Sequence, residues 1–233
     1  MAEKMMPTER VYPILLAAGP PRGLPFPKAL APFEGKTALG IAVEVCRSAA
    51  GLGAPIVVLG CQARRVKTAM RRLRLVIGRP AIVVVTNSRW RNGQITSLVA
   101  GMRRLPRDAA GFLLYPVDYP LVRARLVDRL LRRFYRRGAG QQIVAPAIGP
   151  RTGHPILVAR ALIPEFRACE RRGGTAREVI YRKTQPDRMA RVAVRDRAIH
   201  VDFDSQASYQ RCLRALRRQS AERSVMRTCR RKT

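Results

Sequence analysis

The segment that follows the first apolar run combines small residues with cations, a pattern suited to a phosphate-bearing ligand. It carries Leu16, Ala17, Ala18 and Gly19, then Arg22 and Lys28. Small residues let a nucleotide approach the backbone, Gly19 can adopt a positive φ, and Lys28 can reach a phosphate. The spacing is neither that of a Walker loop nor that of G-x-G-x-x-G, which excludes P-loop and dinucleotide-binding motifs. A proline-rich turn with a surface lysine is an equally open interpretation.

Asp118 directly follows a second apolar run, where a carboxylate is costly unless it holds something. Mg²⁺ is a good occupant, because this ion is bound by one or two carboxylates together with substrate phosphates. Asp204 or Asp202 could complete such a metal site, or either could be a carboxylate of a turn. Asp118 could instead cap a helix that begins at Pro120.

Three further polar residues could face a ligand. Thr96 and Ser97 precede an apolar helical pattern, so they could hydrogen-bond a nucleotide base or sugar, or merely cap the helix. His154, in a Gly-His-Pro turn, could line the pocket of an acceptor molecule, and a structural role in the turn is equally open.

Short β-branched runs alternate with longer helical patterns, which is typical of an α/β chain with a mostly parallel sheet. Strands are predicted over residues 11–17, 55–60, 81–86, 111–116, 142–146, 155–159, 189–194 and 199–203. Helices are predicted over residues 37–50, 62–75, 94–105, 120–137, 161–170, 175–182 and 206–218. One domain then spans residues 10–220, and residues 221–233 are expected to form a basic, disordered tail. Ligands of such sheets bind beyond the carboxyl ends of the strands, where the residues above lie.

The composition is globular but strongly basic. The 233 residues include 46 Lys+Arg against 15 Asp+Glu, a net charge of +31, and 47% hydrophobic residues. Of the cations, 40 are Arg and 6 are Lys, and they fall on the polar faces of most predicted helices. This distribution favours a solvated basic surface that attracts anionic ligands, although nucleic-acid binding through that surface stays open. No apolar run is long enough for a transmembrane helix, so no membrane role is expected.

The cysteine and histidine content argues against a zinc site. Five cysteines form no C-x-x-C pair, and there are two histidines. Free thiols in a reducing compartment are the simplest interpretation, and we therefore expect a cytoplasmic protein.

Six segments, taken in order, resemble the MobA/MocA-like nucleotidyltransferases, which include the molybdenum-cofactor guanylyl- and cytidylyltransferases. They are Leu-Ala-Ala-Gly at 16–19 with Lys28, N-x-x-W-x-x-G-x-x-x-S-L at 87–98, D-x-P-x-V at 118–122, G-H-P at 153–155, G-G-T-A-R at 173–177 and D-x-D-S at 202–205. Thr175 stands where the family usually has Gly. The segments cover about 190 residues, and their shared order makes the likeness specific.

The resemblance implies a Rossmann-like three-layer α/β/α nucleotidyltransferase fold with a mostly parallel mixed sheet. It implies Mg²⁺-dependent transfer of NMP from CTP or GTP to a phosphate or hydroxyl oxygen of a small-molecule acceptor, with release of pyrophosphate. Lys28 and Asp118 would be catalytic, and Asp118 and Asp204 would bind the metal. The nucleotide would be bound by residues 16–19 with Arg22, Lys28, Thr96 and Ser97. His154 would contact the acceptor. Sugar-phosphate and polyol-phosphate nucleotidyltransferases have a similar opening loop and are a further alternative.

The first loop departs from the family pattern G-x-S-x-R-x-G-x-x-K. Pro21, Gly23 and Pro25 stand at the Ser, Arg and second Gly positions, and Arg22 lies one residue early. Proline has no N–H to donate to a phosphate, so the loop is stiffer and poorer in donors than its relatives. Arg22 could compensate with its guanidinium. A catalytically impaired protein that binds nucleotide or nucleic acid on the same scaffold is therefore the alternative function.

Overall fold

A computed structural model describes residues 9–73, 81–182 and 184–229. In this part of the chain the strands are β1 Val11–Ala17, β2 Pro32–Phe33, β3 Lys36–Thr37, β4 Ile56–Leu59, β5 Val83–Thr86, β6 Gly111–Pro116, β7 Ile143–Ile148, β8 Arg151–Thr152, β9 Ile156–Ala159 and β10 Met189–Ala193. The helices are α1 Ala38–Ser48, α2 Ala63–Arg72, α3 Gln94–Met102, α4 Ala124–Tyr135, α5 Ile163–Arg171, α6 Ala176–Ile180 and α7 Gln206–Cys229.

The main sheet has the strand order β10-β7-β9-β6-β1-β4-β5, with β8 paired to β7. Strand β1 lies between β4 and β6 and is parallel to both, whereas β9 is antiparallel to β6 and β7. Strands β2 and β3 form a separate antiparallel hairpin. The sheet is thus mixed and mostly parallel, as predicted.

Alternate residues of the central strands belong to two apolar layers, one on each face of the sheet. Leu15 and Tyr115 pack with α1, α2 and α4, whereas Ile14 and Leu114 pack with α3, α5 and α6. Because successive strand residues point to opposite faces, nearly continuous apolar strands are expected where helices cover both faces. This arrangement confirms the three-layer α/β/α fold.

A third apolar cluster ties the last helix to the first loop and to the β2–β3 hairpin. Phe33 contacts Phe203 and Tyr209 edge to face, with ring centroids 5.3 and 5.1 Å apart, and Leu24 belongs to the same cluster. The hydroxyl of Tyr209 donates to the carbonyl oxygen of Pro32 at 2.5 Å. This packing holds the segment that precedes α7 beside the first loop.

The prediction of a strand over residues 199–203 is wrong. A 3-10 helix spans Arg197–His200, and the side chain of Asp196 accepts from the N–H of Ala198 at its start. The backbone then bonds to loops rather than to a strand: His154 N donates to Ile199 O, and Phe203 N donates to Asp118 O. The segment therefore crosses the carboxyl edge of the sheet instead of joining it.

Helix α4 begins at Ala124, later than the predicted start at Pro120. Residues 119–122 form a turn in which Val122 N donates to Tyr119 O, and Leu121 and Val122 are buried. The residue that caps α4 is Arg123, so Asp118 is not its cap, and that alternative is wrong.

Helix α7 continues to Cys229, past the predicted end at residue 218 and through most of the segment predicted as a tail. Residues 74–75 of the predicted second helix and residues 230–233 of the tail lie outside the described residues. None of the helices seen in the described ranges is both long and apolar enough to cross a membrane.

Candidate active site

A cleft of about 610 Å³ opens at the carboxyl ends of β1 and β6. Four segments contribute to it: the first loop, the turn and helix start after β5, the end of β6, and the crossing segment before α7. Its lining includes Leu16, Ala17, Ala18, Gly19, Pro20, Arg22, Lys28, Trp90, Arg91, Gly93, Gln94, Ser97, Asp118, Asp202 and Asp204. Most of the predicted site residues therefore meet in one place, which is where parallel sheets bind their ligands.

Lys28 and Asp118 form an ion pair at the base of the cleft. Lys28 Nζ lies 3.3 Å from Asp118 Oδ2, and the two side chains are 13% and 22% exposed. Lys28 begins a short 3-10 helix that buries Ala29, and Asp118 is the second residue after the end of β6. The pair connects residues that are far apart in the sequence, and both retain enough exposure to meet a ligand.

One oxygen of the Asp118 carboxylate does not take part in the ion pair with Lys28. Oδ1 is buried and has no hydrogen-bond partner among the described atoms. Burial raises the pKa of the Asp118 carboxyl, the Lys28 ammonium opposes that rise, and the neighbouring Asp202 adds to it. A buried carboxylate oxygen without a partner is costly, so a cation that binds it would lower the free energy of this site.

Asp202 and Asp204 line the cleft close to Asp118. Asp204 Oδ2 lies 3.9 Å from Arg22 Nη1, and both side chains are largely exposed. The hydrogen bond from Phe203 N to Asp118 O fixes this segment beside the end of β6. Within the described ranges, no group of three or more His, Cys, Asp or Glu side chains is arranged to hold a metal on its own.

The first loop turns tightly around its prolines. Arg22 and Gly23 both have positive φ, at 48° and 82°, and Leu24 N donates to Pro21 O. The N–H of Leu24, one of the few left by the prolines, is thus used within the loop. Ala18 O accepts from Cys61 N, which anchors the start of the loop to the end of β4.

A buried network around Asn87 shapes the segment that carries Ser97. Asn87 Nδ2 donates to Thr96 Oγ1 at 2.8 Å and to Ser97 Oγ at 3.0 Å. Asn87 Oδ1 accepts from Arg89 N at 3.0 Å. The hydroxyl of Thr96 is bonded to the carbonyl oxygens of Arg89 and Gly93. Thr96 is therefore a buried support that does not line the cleft, whereas Ser97 does line it.

Trp90 and Arg91 belong to the cleft wall but were not among the predicted site residues. The Arg91 guanidinium lies 4.5 Å from the centre of the Trp90 ring. Gly60 allows Trp90 to approach, because a Cβ at position 60 would lie 2.6 Å from Trp90 Cβ and 2.8 Å from Ala18 O. The motif N-x-x-W could have pointed to Trp90, since the tryptophan lies in the same family-like segment as Ser97, a predicted ligand contact.

His154 is not brought to the cleft. Its ring stacks at a tilt on Tyr119, with centroids 4.9 Å apart, and its Nδ1 is buried without a partner among the described atoms. Burial lowers the pKa of His154 to about 4. His154 is thus a packed, neutral side chain, and its predicted contact with an acceptor stays a prediction.

The sequence model of the MobA-like NTP transferase domain matches residues 13–192, which is most of the chain. The chain belongs to this family. Membership in the MobA-like NTP transferase family indicates a nucleotidyltransferase, and the match includes Lys28, the Asn87 segment and Asp118. Asp202 and Asp204 lie beyond its end. No curated protein matches the sequence significantly.

Solved structures share the fold over nearly their whole length. The homolog of Rv0371c from mycobacterium sp. strain JC1 is 26% identical, with 90% of this chain and 98% of that chain covered and a TM-score of 0.71. The complex of Rv0371c from Mycobacterium tuberculosis with manganese is 25% identical, with 88% and 98% covered and a TM-score of 0.67. A nucleotidyl transferase from Methanothermobacter thermautotroptrophicus is 20% identical, with 90% and 99% covered and a TM-score of 0.72, and supports the fold alone.

Proposed function

We propose that this protein transfers NMP from CTP or GTP to a phosphate or hydroxyl oxygen of a small-molecule acceptor and releases pyrophosphate. The observation that carries the proposal is the Lys28–Asp118 pair, which lies at the base of a cleft lined by the family's own segments. The MobA-like family suggests an acceptor of the molybdenum-cofactor kind.

The nucleotide would occupy the wall made by the first loop and the start of α3. Leu16 lines this wall, and Ala17, Ala18 and Gly19 present small side chains and backbone to the nucleotide. A Cβ at Gly19 would meet nothing within 4 Å. Ser97 Oγ accepts from Asn87, so its own proton is available to an acceptor atom of the base or sugar. Arg22 and Lys28 supply positive charge to the triphosphate.

The residues present fit a divalent cation, and we propose Mg²⁺. Asp118 would hold it through the unpartnered Oδ1, with Asp204 or Asp202 from the neighbouring segment before α7. One or two carboxylates suffice for Mg²⁺ when phosphate oxygens complete its coordination. Bound there, the cation would neutralise charge on the triphosphate. The manganese complex of Rv0371c is consistent with such a site.

The reaction needs positioning and charge neutralisation rather than a covalent nucleophile. An oxygen of the acceptor forms a bond to the α-phosphorus, the bond from that phosphorus to the bridging oxygen breaks, and pyrophosphate leaves in line. A phosphate oxygen attacks in its ionised form, whereas a hydroxyl acceptor releases its proton to solvent water. Lys28 is placed to stabilise the charge that develops on the phosphate oxygens. His154 would influence acceptor binding only indirectly, through Tyr119, on which its ring packs.

The test of this proposal is pyrophosphate release. Wild type would be supplied with each of the four nucleoside triphosphates, Mg²⁺ and molybdopterin-type or sugar-phosphate acceptors, and compared with Lys28→Ala. We expect release with CTP or GTP and with one acceptor class, reduced at least 100-fold by Lys28→Ala. Release that is unchanged in this variant would contradict the role of the pair.

The first loop favours one alternative, a nucleotide-binding protein without transferase activity. Pro20, Pro21, Pro25 and Pro27 lack N–H groups, and Leu24 N is already bonded to Pro21 O. This alternative predicts nucleotide binding at the same cleft with no pyrophosphate release for any acceptor, so the same assay distinguishes the two.

A further inference from the structure

A groove that lies away from the cleft runs between α4 and the edge strand β10. It consists of two adjoining depressions of about 480 and 360 Å³ that share Arg129, Arg132 and Ala193. Seven arginines line it, and we call it the arginine groove: Arg125, Arg129, Arg132, Arg133, Arg136, Arg191 and Arg195. The arginines come from two stretches of sequence, residues 125–136 and 191–195, that the fold brings together.

The fold leaves this groove open. Helix α4 buries its apolar face, including Leu130 and Phe134, so its arginines must lie on the remaining faces. Strand β10 ends the sheet order, so beside it the sheet has no further strand in the described part of the chain. Arg191, on β10, is exposed and meets the helix arginines across the edge.

The positive charge of the groove is not neutralised by carboxylates. Asp196 is its one acidic lining residue among those described, and Asp196 Oδ1 accepts from Ala198 N at 3.0 Å. Arg133 bonds to the amide oxygen of Gln141 and to the carbonyl oxygen of Arg136, both neutral groups. In the described ranges, none of the seven arginines forms an ion pair with an acid.

The chemistry of the groove fits a chain of phosphates. Arg125, Arg129, Arg132 and Arg136 follow one another at three- and four-residue spacing, so they form a row on one side of α4. Guanidinium groups bind phosphate oxygens bidentately, a preference that lysine lacks. A concave surface suits a strand better than a flat bilayer. No aromatic side chain lines the groove for base stacking, so the contacts would be to phosphates and not to bases.

We propose that the arginine groove binds the phosphate backbone of a single nucleic-acid strand, independently of base sequence. This site is distinct from the nucleotide cleft and does not depend on the transferase reaction. Binding would be dominated by release of counterions and would therefore weaken steeply with salt.

The test is anisotropy of a fluorescein-labelled 20-nucleotide RNA strand, with the DNA strand of the same sequence as a second probe. The double variant Arg129→Glu/Arg132→Glu is compared with Arg64→Glu/Arg65→Glu, which makes the same charge change on exposed residues of α2. Helix α2 packs beyond β4, toward the opposite end of the sheet. At 150 mM KCl we expect the groove variant to lose at least tenfold in affinity and the control less than threefold. The salt slope of the groove variant should fall by about 1.4, at roughly 0.7 per phosphate contact.

Three outcomes would overturn the proposal. The first is no binding of either probe by wild type at 150 mM KCl. The second is an equal loss in both variants, which would assign binding to charge spread over the surface. The third is displacement of the RNA by polyglutamate of equal charge as effectively as by unlabelled RNA, which would assign the groove to acidic polypeptides. Arg129→Gln/Arg132→Gln, which removes charge without reversing it, should give a smaller loss in the same direction even if the glutamate variant folds poorly.

Discussion

Lys28 Nζ lies 3.3 Å from Asp118 Oδ2, and this contact joins the first loop to the end of β6 across 90 residues of sequence. The pair is mostly shielded from solvent, yet it lines the cleft. In this position the lysine can bind a phosphate, and the carboxylate can bind a metal ion.

Removing the lysine should harm both stability and nucleotide binding. Lys28→Ala leaves Asp118 as a buried charge without its partner, which costs on the order of 3 kcal/mol in a mostly buried pair. We expect a lower free energy of unfolding in urea and at least tenfold weaker binding of nucleoside triphosphate. The control is Lys36→Ala, which breaks the exposed pair with Glu44 and should change neither quantity measurably. Equal stability and equal nucleotide affinity of the two variants would contradict the role of Lys28 in the cleft.

The amide of Asn87 should be irreplaceable by a carboxylate of the same shape. Asn87→Asp loses two donated hydrogen bonds in a buried position, those to Thr96 and Ser97. The free energy of unfolding is expected to fall by about 2–4 kcal/mol, which corresponds to a fall in Tm of roughly 5–15 °C for a chain of this size. The matched control Asn92→Asp changes an exposed residue of the same segment. A wild-type melting temperature for Asn87→Asp would show that the network contributes little.

Protonation of His154 at acid pH should lower the free energy of unfolding. Its pKa is about 4 in the folded protein against an ordinary value of 6.5. A depressed pKa contributes stability that is present above pH 6.5 and is lost as the pH falls toward 4, by roughly 3 kcal/mol at 1.36 kcal/mol per pH unit. Urea unfolding between pH 7 and pH 4 should therefore be less pH-dependent for His154→Gln than for wild type. The control is His200→Gln, which replaces the other histidine of the sequence. An equal change in the pH dependence of both variants would contradict the assignment to His154.

The single tryptophan offers a direct signal for occupancy of the cleft. Trp90 lines the cleft, and no other tryptophan is present. Its emission should change on addition of nucleoside triphosphate with Mg²⁺. Gly60→Ala should shift the emission without ligand, because the added Cβ would lie 2.6 Å from Trp90 Cβ. Gly138→Ala, where a Cβ would meet nothing within 4 Å, serves as the control. Identical spectra of the two variants would refute this packing.

The layered fold and the approach of Lys28 to Asp118 could be predicted, because both follow from local patterns. Apolar runs define β1 and β6, and parallel neighbours bring their carboxyl ends to one edge. The course of residues 199–203 could not, since β-branched residues favour a strand there while long-range bonds to Asp118 O and from His154 N decide otherwise.

The roles of two polar residues also depended on tertiary contacts. Thr96 and Ser97 are adjacent and chemically alike, yet Asn87 and two carbonyl oxygens engage the Thr96 hydroxyl inside the protein. The burial of His154 against Tyr119 likewise has no local signature. A sequence pattern indicates which residues can bond, whereas packing decides whether a ligand or the protein satisfies them.

Calorimetric binding of the four nucleoside triphosphates, with and without Mg²⁺, tests the central claim most directly. Wild type is compared with Asp118→Asn, which removes the charge that would hold the cation, and with Asp108→Asn, an exposed carboxylate elsewhere. We expect Mg²⁺-dependent binding of CTP or GTP by wild type and by Asp108→Asn, and at least tenfold weaker binding by Asp118→Asn. Equal Mg²⁺-dependent binding by all three proteins, or none by wild type, would contradict the account.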